Sequence, residues 1–186
     1  MIGYALCGSY CTHKASLIQM EALVNQGYDI LPIMSENVYS TDTRFGKAED
    51  LCRRVKDICG REIVHTIVGA EPLGPKIALD AMIICPCTGN TLAKLASGIT
   101  DTSVSMAAKA HLRGNRPLVI ALASNDALSA NLKNIATMLS RKFVYFVPLS
   151  QDDPEQKPHS LIADFSLLIP TLERALEGKQ YQRIFK

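Results

Sequence analysis

The chain has 186 residues, 47% of them hydrophobic, with 20 Lys and Arg against 18 Asp and Glu and a net charge of +2. That length and apolar content suit one domain, residues 1–186, with one sizeable core. Near-neutrality, with neither a Lys/Arg run nor basic residues interleaved with aromatics, argues against a nucleic-acid binder, and no apolar run approaches the roughly 20 residues of a membrane span.

"MIGYALCGSYCTH" has no charged segment followed by a long apolar one, so a soluble, cytoplasmic protein is expected. "IGYALC" is a continuous apolar run, read as a buried parallel strand, and "THKASLIQMEALVNQG" follows as a helix stopped by Gly27. "YDILPIM" is strand-like, with Pro32 placing it near an edge or a bulge, and it empties into the polar loop "SENVYSTDTRFG". "KAEDLCRRVKDICG" puts Leu51, Val55 and Ile58 on one face of an amphipathic helix closed by Gly60. Beyond "IVHTIVGA" and the breaker cluster "EPLGPK", "ALDAMIICP" is a second strongly apolar strand. "NTLAKLASG" and "VSMAAKAHLRG" read as helices, "RPLVIALAS" as a strand, "NDALSANLKNIATMLSRK" as a helix, "FVYFVPLS" as a further strand and "FSLLIPTLERALEG" as a closing helix packed back on the sheet. Strands alternating with helices predict an α/β fold: a doubly wound parallel sheet, a Rossmann-like or flavodoxin-like three-layer sandwich.

Ligands of such sheets bind beyond the carboxyl ends of the strands, so the loops there carry the functional reading. They are "CGSYC", "SENVYSTDTRFG", "CPCTGNT" and "SNDA", each rich in Ser, Thr, Asn or Gly. Gly8 allows close backbone approach, Ser9 offers a hydroxyl, and the next helix N-terminus suits a phosphate; the other reading is that Ser9 and Thr12 cap that helix. There is no G-x-G-x-x-G and no G-x-x-x-x-G-K-[ST], which disfavours a dinucleotide site or a P-loop. Thr88, Gly89, Asn90 and Thr91 could satisfy the donors and acceptors of a flat heterocycle such as a flavin edge.

"GSYCTHKA", Ser35, "PCTGNTLAKLASGITD" and "RPLVIALASND" together resemble the flavoprotein family of homo-oligomeric flavin-containing cysteine decarboxylases. The resemblance implies FMN, with its phosphate near Gly8, Ser9 and Ser35 and its ring near Thr88 to Thr91 and Ser124. It also implies a homo-oligomer, to which the "SMAAKA" stretch could contribute. "STDTRFG", "AEPLGP", "MAAKAHLRGNRP" and "QDDPEQKPHS" are similar to a narrower branch, from spore-forming bacteria, that makes a pyridine dicarboxylate from its dihydro precursor. Members of that branch work beside a second subunit similar to an NAD(P)-binding dehydrogenase, in the mother cell; the alternative role for this chain is a non-catalytic partner of that subunit. The decarboxylases' His has no counterpart in "AEPLGPK".

Aromatising such a substrate requires a hydride acceptor over one ring carbon, a base beside it and cations for two carboxylates. Arg44 is the first candidate clamp because a guanidinium grips a carboxylate bidentately; Lys76, Lys109 and Arg113 are weaker ones. Glu71 or Asp101 could act as a base if desolvated, although Asp101 also suits a turn or a cap, at Asp101 or Ser103, for the next helix. The four His are scattered, without a metal-binding spacing. Cys7, Cys11, Cys85 and Cys87 would share a rim if the first and third strands were neighbours, leaving a metal or redox cluster as a rival to buried, reduced thiols.

Overall fold

The computed structural model describes residues 1–186 and has β1 (Ile2–Leu6), β2 (Ile30–Met34), β3 (Ala81–Thr88), β4 (Leu118–Ser124), β5 (Val144–Phe146), β6 (Leu149–Ser150) and β7 (Leu161–Ala163). They form one sheet in the order β2-β1-β3-β4-β7-β6, with β5 also paired to β4. The helices are α1 (His13–Asn25), α2 (Glu36–Ser40), α3 (Ala48–Cys59), α4 (Ile67–Ala70), α5 (Gly89–Ser97), α6 (Ser103–Leu112), α7 (Leu132–Leu139) and α8 (Leu168–Leu176). Helices α1, α3 and α8 pack together on one face, while α4 to α7 cover the other. This is the doubly wound sandwich that the alternating pattern predicts. Strands β1, β3 and most of β4 are apolar on both faces because both faces are covered, and 47 buried residues form a single core cluster.

Three local departures have physical causes. The polar loop after β2 contains α2, which is held from outside: Glu36 Oε1 accepts the Ser103 N–H at the start of α6 (2.8 Å), and Ser103 Oγ donates to the Met34 carbonyl (2.6 Å). The helix expected from Asn125 begins only at Leu132, because the Asp126 carbonyl takes the N–H groups of Ser129 and Asn131 in turns. "FVYFVPLS" is two strands, not one. β5 runs parallel to the lower half of β4, and after Pro148 the chain enters β6, which pairs antiparallel with β7. β7, for which no sequence signal stood out, pairs with Ala123 and Ser124 and takes up the upper half of the β4 edge.

Pro32 lies in an edge strand as expected. Its carbonyl accepts from Val64 N–H (3.0 Å) on the side away from β1, so the N–H that proline lacks is missing from the outer edge rather than from the β1 ladder. In α3 the buried face is Ala48, Cys52 and Val55, rotated from the predicted stripe, with Leu51 and Ile58 half-buried at its margin. The "SMAAKA" stretch lies in α6, where all but Met106 and Lys109 are already buried within the chain, so it offers little surface to another copy.

Two histidines are built into this core as neutral groups. His111 Nε2 donates to the Pro117 carbonyl (2.8 Å), and His13 Nε2 to the Cys7 carbonyl (2.8 Å). Burial lowers both pKa values, outweighing those hydrogen bonds. An imidazole that is harder to protonate folded than unfolded contributes stability that is complete above about pH 6.5 and is lost as pH falls through the depressed value. The urea midpoint should therefore drop between pH 7.5 and 5.5, before any carboxylate titrates. A flat profile over that interval would show that neither ring is held neutral.

A candidate flavin cleft at the carboxyl ends of the strands

The winding reverses between β1 and β3: the chain leaves β1 for β2 on one side, and β3 sits on the other. Two adjoining clefts open there, of about 490 and 500 Å³. Gly8, Ser9, Arg44, Thr88, Gly89, Asn90 and Ser124 line the first. Ser35 and Thr91 line the second, which shares Gly8, Tyr10, Thr88 and Asn90 with the first. All nine candidate site residues thus meet around one rim.

They do not all do the same thing. Thr88 Oγ1 caps α5 by accepting the Thr91 N–H (3.2 Å), and it donates to Thr91 Oγ1 (3.1 Å), which in turn donates to Cys7 Sγ (3.3 Å). These hydroxyls latch α5 onto the end of β1. Gly89 is explained internally as well. It is buried, and a Cβ there would collide with Ser124 Oγ, Asn131 Nδ2 and Asp126 Oδ1. Ser124 Oγ is likewise committed, donating to Asp126 Oδ1 (2.5 Å), while Asn131 Nδ2 donates to the same carboxylate at 2.9 Å. Those bonds hold the Asp126 pKa below the usual carboxylate value.

Gly8, Ser9 and Asn90 are different. Gly8 is exposed, and a Cβ on it would make only ordinary contacts with the Tyr10 ring, 3.5 Å and beyond, so nothing in the chain itself demands glycine there. Its N–H and those of Tyr10 and Cys11 have no backbone acceptor. Neither Ser9 nor Thr12 caps a helix through its side chain; Thr12 Oγ1 donates instead to the Ser9 carbonyl (2.8 Å). Asn90 is exposed on the first turn of α5. Ser35 precedes α2 without a side-chain cap.

Arg44 is exposed in the turn closed by Thr43 and Gly46, with its guanidinium 4.9 Å from the Phe45 ring centre. Lys109 and Arg113 line a separate concavity, and Lys76 lines neither cleft. Asp101 is paired with Lys94 (2.8 Å), whose hydrogen bond lowers its pKa, and the cap of α6 is Thr102, in a reciprocal box with Ser105. Asp101 is therefore neither the cap nor a poised base, and Glu71 lies outside both clefts.

Sequence reasoning missed the far wall. Asp152, Lys157 and Ser160 reach the cleft because β7 returns beside β4, and Lys157 pairs with Asp152 (2.8 Å). It also missed Tyr10, whose hydroxyl donates to the Asn37 carbonyl (3.3 Å) and bridges the loops after β1 and β2. The adjacency of β1 and β3 brings Cys7, Cys85 and Cys87 close, but all three are buried, and burial pushes the thiols up, to about 11 for Cys7 and about 12 for Cys85. Cys11 is exposed, and no three His, Cys, Asp or Glu side chains are grouped to hold a metal.

The flavoprotein family model matches residues 1–164. The chain belongs to the flavoprotein family. Among its relatives, the B subunit of dipicolinate synthase from Bacillus subtilis is 47% identical over 98% of this chain and 92% of its own. The crystal structure of the dipicolinate synthase B subunit from Bacillus halodurans superposes with a TM-score of 0.92 at 43% identity, over 100% of this chain and 95% of the other. An FMN-dependent cysteine decarboxylase, SpaF, shares the fold at a TM-score of 0.65 and 22% identity, over 95% and 94% of the two chains. No helix of this flavoprotein is long and apolar enough to cross a membrane.

The division of labour around the rim is testable without a ligand. Thr91→Val removes hydroxyl bonds from a buried latch and should cost about 1 kcal/mol in urea unfolding. Asn90→Ala, on an exposed side chain, should stay within about 0.5 kcal/mol. The reverse order would mean that the latch and the open side of the cleft are misassigned.

Proposed function

We propose that this chain is the B subunit of a dipicolinate synthase, holding FMN in the cleft between the ends of β1 and β3 and acting beside an NAD(P)-binding A subunit. The relatives that carry the dipicolinate synthase name support the reaction, and the FMN-dependent relative supports the cofactor. The single observation carrying the site is Gly8: a glycine with no conformational or steric reason inside the chain, with an N–H free of backbone partners, beside the start of a helix. Close approach of a ligand phosphate supplies the missing reason.

In this reading the free N–H groups of Gly8, Tyr10 and Cys11 and the Ser9 hydroxyl hold the phosphate, with Ser35 on its far side. Asn90 and the N–H groups at the start of α5 face the ring edge. Thr88, Thr91, Gly89 and Ser124 act at one remove, fixing α5 and the end of β4. FMN, when bound, supplies an oxidised ring able to accept a hydride equivalent. Dihydrodipicolinate loses two electrons and two protons in becoming dipicolinate, and FMN or NAD(P)⁺ receives the electrons. Arg44 grips one substrate carboxylate, and Tyr10 and Phe45 screen the entrance from water.

One observation favours the second reading, a flavin-fold partner that does not itself catalyse. Of the four carboxylates lining the two clefts, Asp101, Asp126 and Asp152 have lowered pKa values from hydrogen bonds to Lys94, Ser124 and Lys157 respectively, which makes each a weak proton acceptor, and the fourth, Glu36, is engaged by the Ser103 N–H. The proton would then leave through the A subunit.

Visible absorbance of the purified chain, before and after adding FMN, decides first. A flavin spectrum that releases free FMN on heating is expected, with affinity reduced at least tenfold by Gly8→Val or Asn90→Ala. A colourless chain that ignores added FMN removes the cofactor from the proposal. In the reconstituted two-subunit enzyme, Arg44→Ala should raise KM for dihydrodipicolinate with little change in kcat, and equal kinetics would remove the clamp.

A further inference from the structure

Toward the amino ends of β4 and β5 lies another concavity, of about 430 Å³, between the last turns of α5 and α6 and the segment that follows α7. It shares no residue with either flavin cleft. Lys109, Arg113, Arg141 and Lys142 line it, and no Asp or Glu does. None of the four takes part in any ion pair of the chain.

Cations commonly gather at helix C-termini, where each helix end carries about half a negative charge. Three such ends offset roughly 1.5 of four formal positive charges, leaving a net excess of about two to three. Helix-end neutralisation therefore does not account for the cluster. Between the cations the walls are apolar, formed by Leu95, Leu112 and Phe143, with Ile99 47% exposed at the margin.

All four cations are exposed, and only Arg141 is fixed, donating to the Leu95 carbonyl (3.2 Å). A small anion held specifically would need buried, oriented donors. Exposed ammonium and guanidinium heads, two at the end of α6 and two on the segment after α7, around an apolar floor suit instead a chain of carboxylates carrying one apolar side chain. We propose that this cleft docks an acidic segment of the A subunit, with an aliphatic or aromatic residue set between Leu95 and Leu112. The proposal rests on the two-subunit reading above. Docking here leaves the flavin cleft open to substrate.

The test is the dissociation constant between the full chain and the purified A subunit, by titration calorimetry at 50 and 300 mM NaCl. Affinity should fall with salt, and Lys109→Glu with Arg113→Glu should weaken it at least tenfold. The milder pair Lys109→Ser and Lys142→Ser should weaken it three- to fivefold, which guards against a misfolded reversal. Lys179→Glu, exposed elsewhere, should leave it unchanged, and FMN binding should be untouched in every variant. Association undiminished by both pairs overturns the docking site, as does a reversal that lowers the mass of the free chain in light scattering, which would show that a second copy covers the cleft. If the unaltered chain and the A subunit do not associate at either salt concentration, the two-subunit reading falls first, and this site with it.

Discussion

The parallel pairing of β1 with β3 is the constraint on which the rest of the molecule depends. It is secured from within by one buried polar chain. The Tyr4 hydroxyl donates to the Ser16 carbonyl (2.8 Å), with Ser16 Oγ 3.0 Å away, and Ser16 Oγ donates across to the Cys85 carbonyl (2.5 Å). Three elements, β1, α1 and β3, are therefore fixed by groups with no access to water, where a broken bond would leave an unsatisfied polar atom. Burial holds Tyr4 protonated by raising its pKa well above the ordinary phenol value, so it remains a donor. Because β1 and β3 are neighbours, the loops leaving them diverge to opposite faces, and the divergence itself makes the cleft.

The charge pattern around that cleft is consistent with the kind of ligand proposed for it. Lys94 and Lys157 at the rim are each paired with an aspartate, which leaves Arg44 as the one unpaired cation of the cleft that Gly8 and Ser9 line. Phosphate held there would depend on N–H dipoles and hydroxyls, whose pull acts over a short range and responds weakly to salt. Arg44 is carried on a turn of its own along that cleft, and an exposed guanidinium there would be free to meet an anionic group of the ligand or substrate. The basic cleft on the helical face has the opposite character: exposed, unpaired and therefore sensitive to ionic strength.

Much of this was legible from sequence because the informative residues sit where sequence rules are strongest. β1, β3 and β4 are continuous apolar runs, as strands covered on both faces must be, and each ends in small polar residues at the rim. β7 was not legible: three residues after a polar loop become a strand only because the upper edge of β4 is vacant for pairing. α2 was not legible either, since five residues make no stable helix alone and its anchor, the contact of Glu36 with Ser103, spans 67 positions. Within the site, the ambiguity concerned purpose rather than place. A threonine that caps a helix and one that binds a ligand are the same residue in the same motif, and the motif alone does not disclose the cap on α5 or the bond from Thr91 to Cys7.

Glycine shows the same limit most sharply. Gly8 and Gly89 both follow apolar strands, and both suggest close approach of a backbone to something. At Gly89 the something is inside the chain: the Ser124, Asp126 and Asn131 cluster fills the space that a Cβ would need. At Gly8 the space is open and the backbone conformation is one that any residue adopts, so folding alone places no demand on it. A position that folding leaves free but that lines a cleft is where binding can impose its own requirement. That difference, invisible in sequence, leaves more room for a ligand's demand at the end of β1 than at the longer and more conspicuous motif that ends β3.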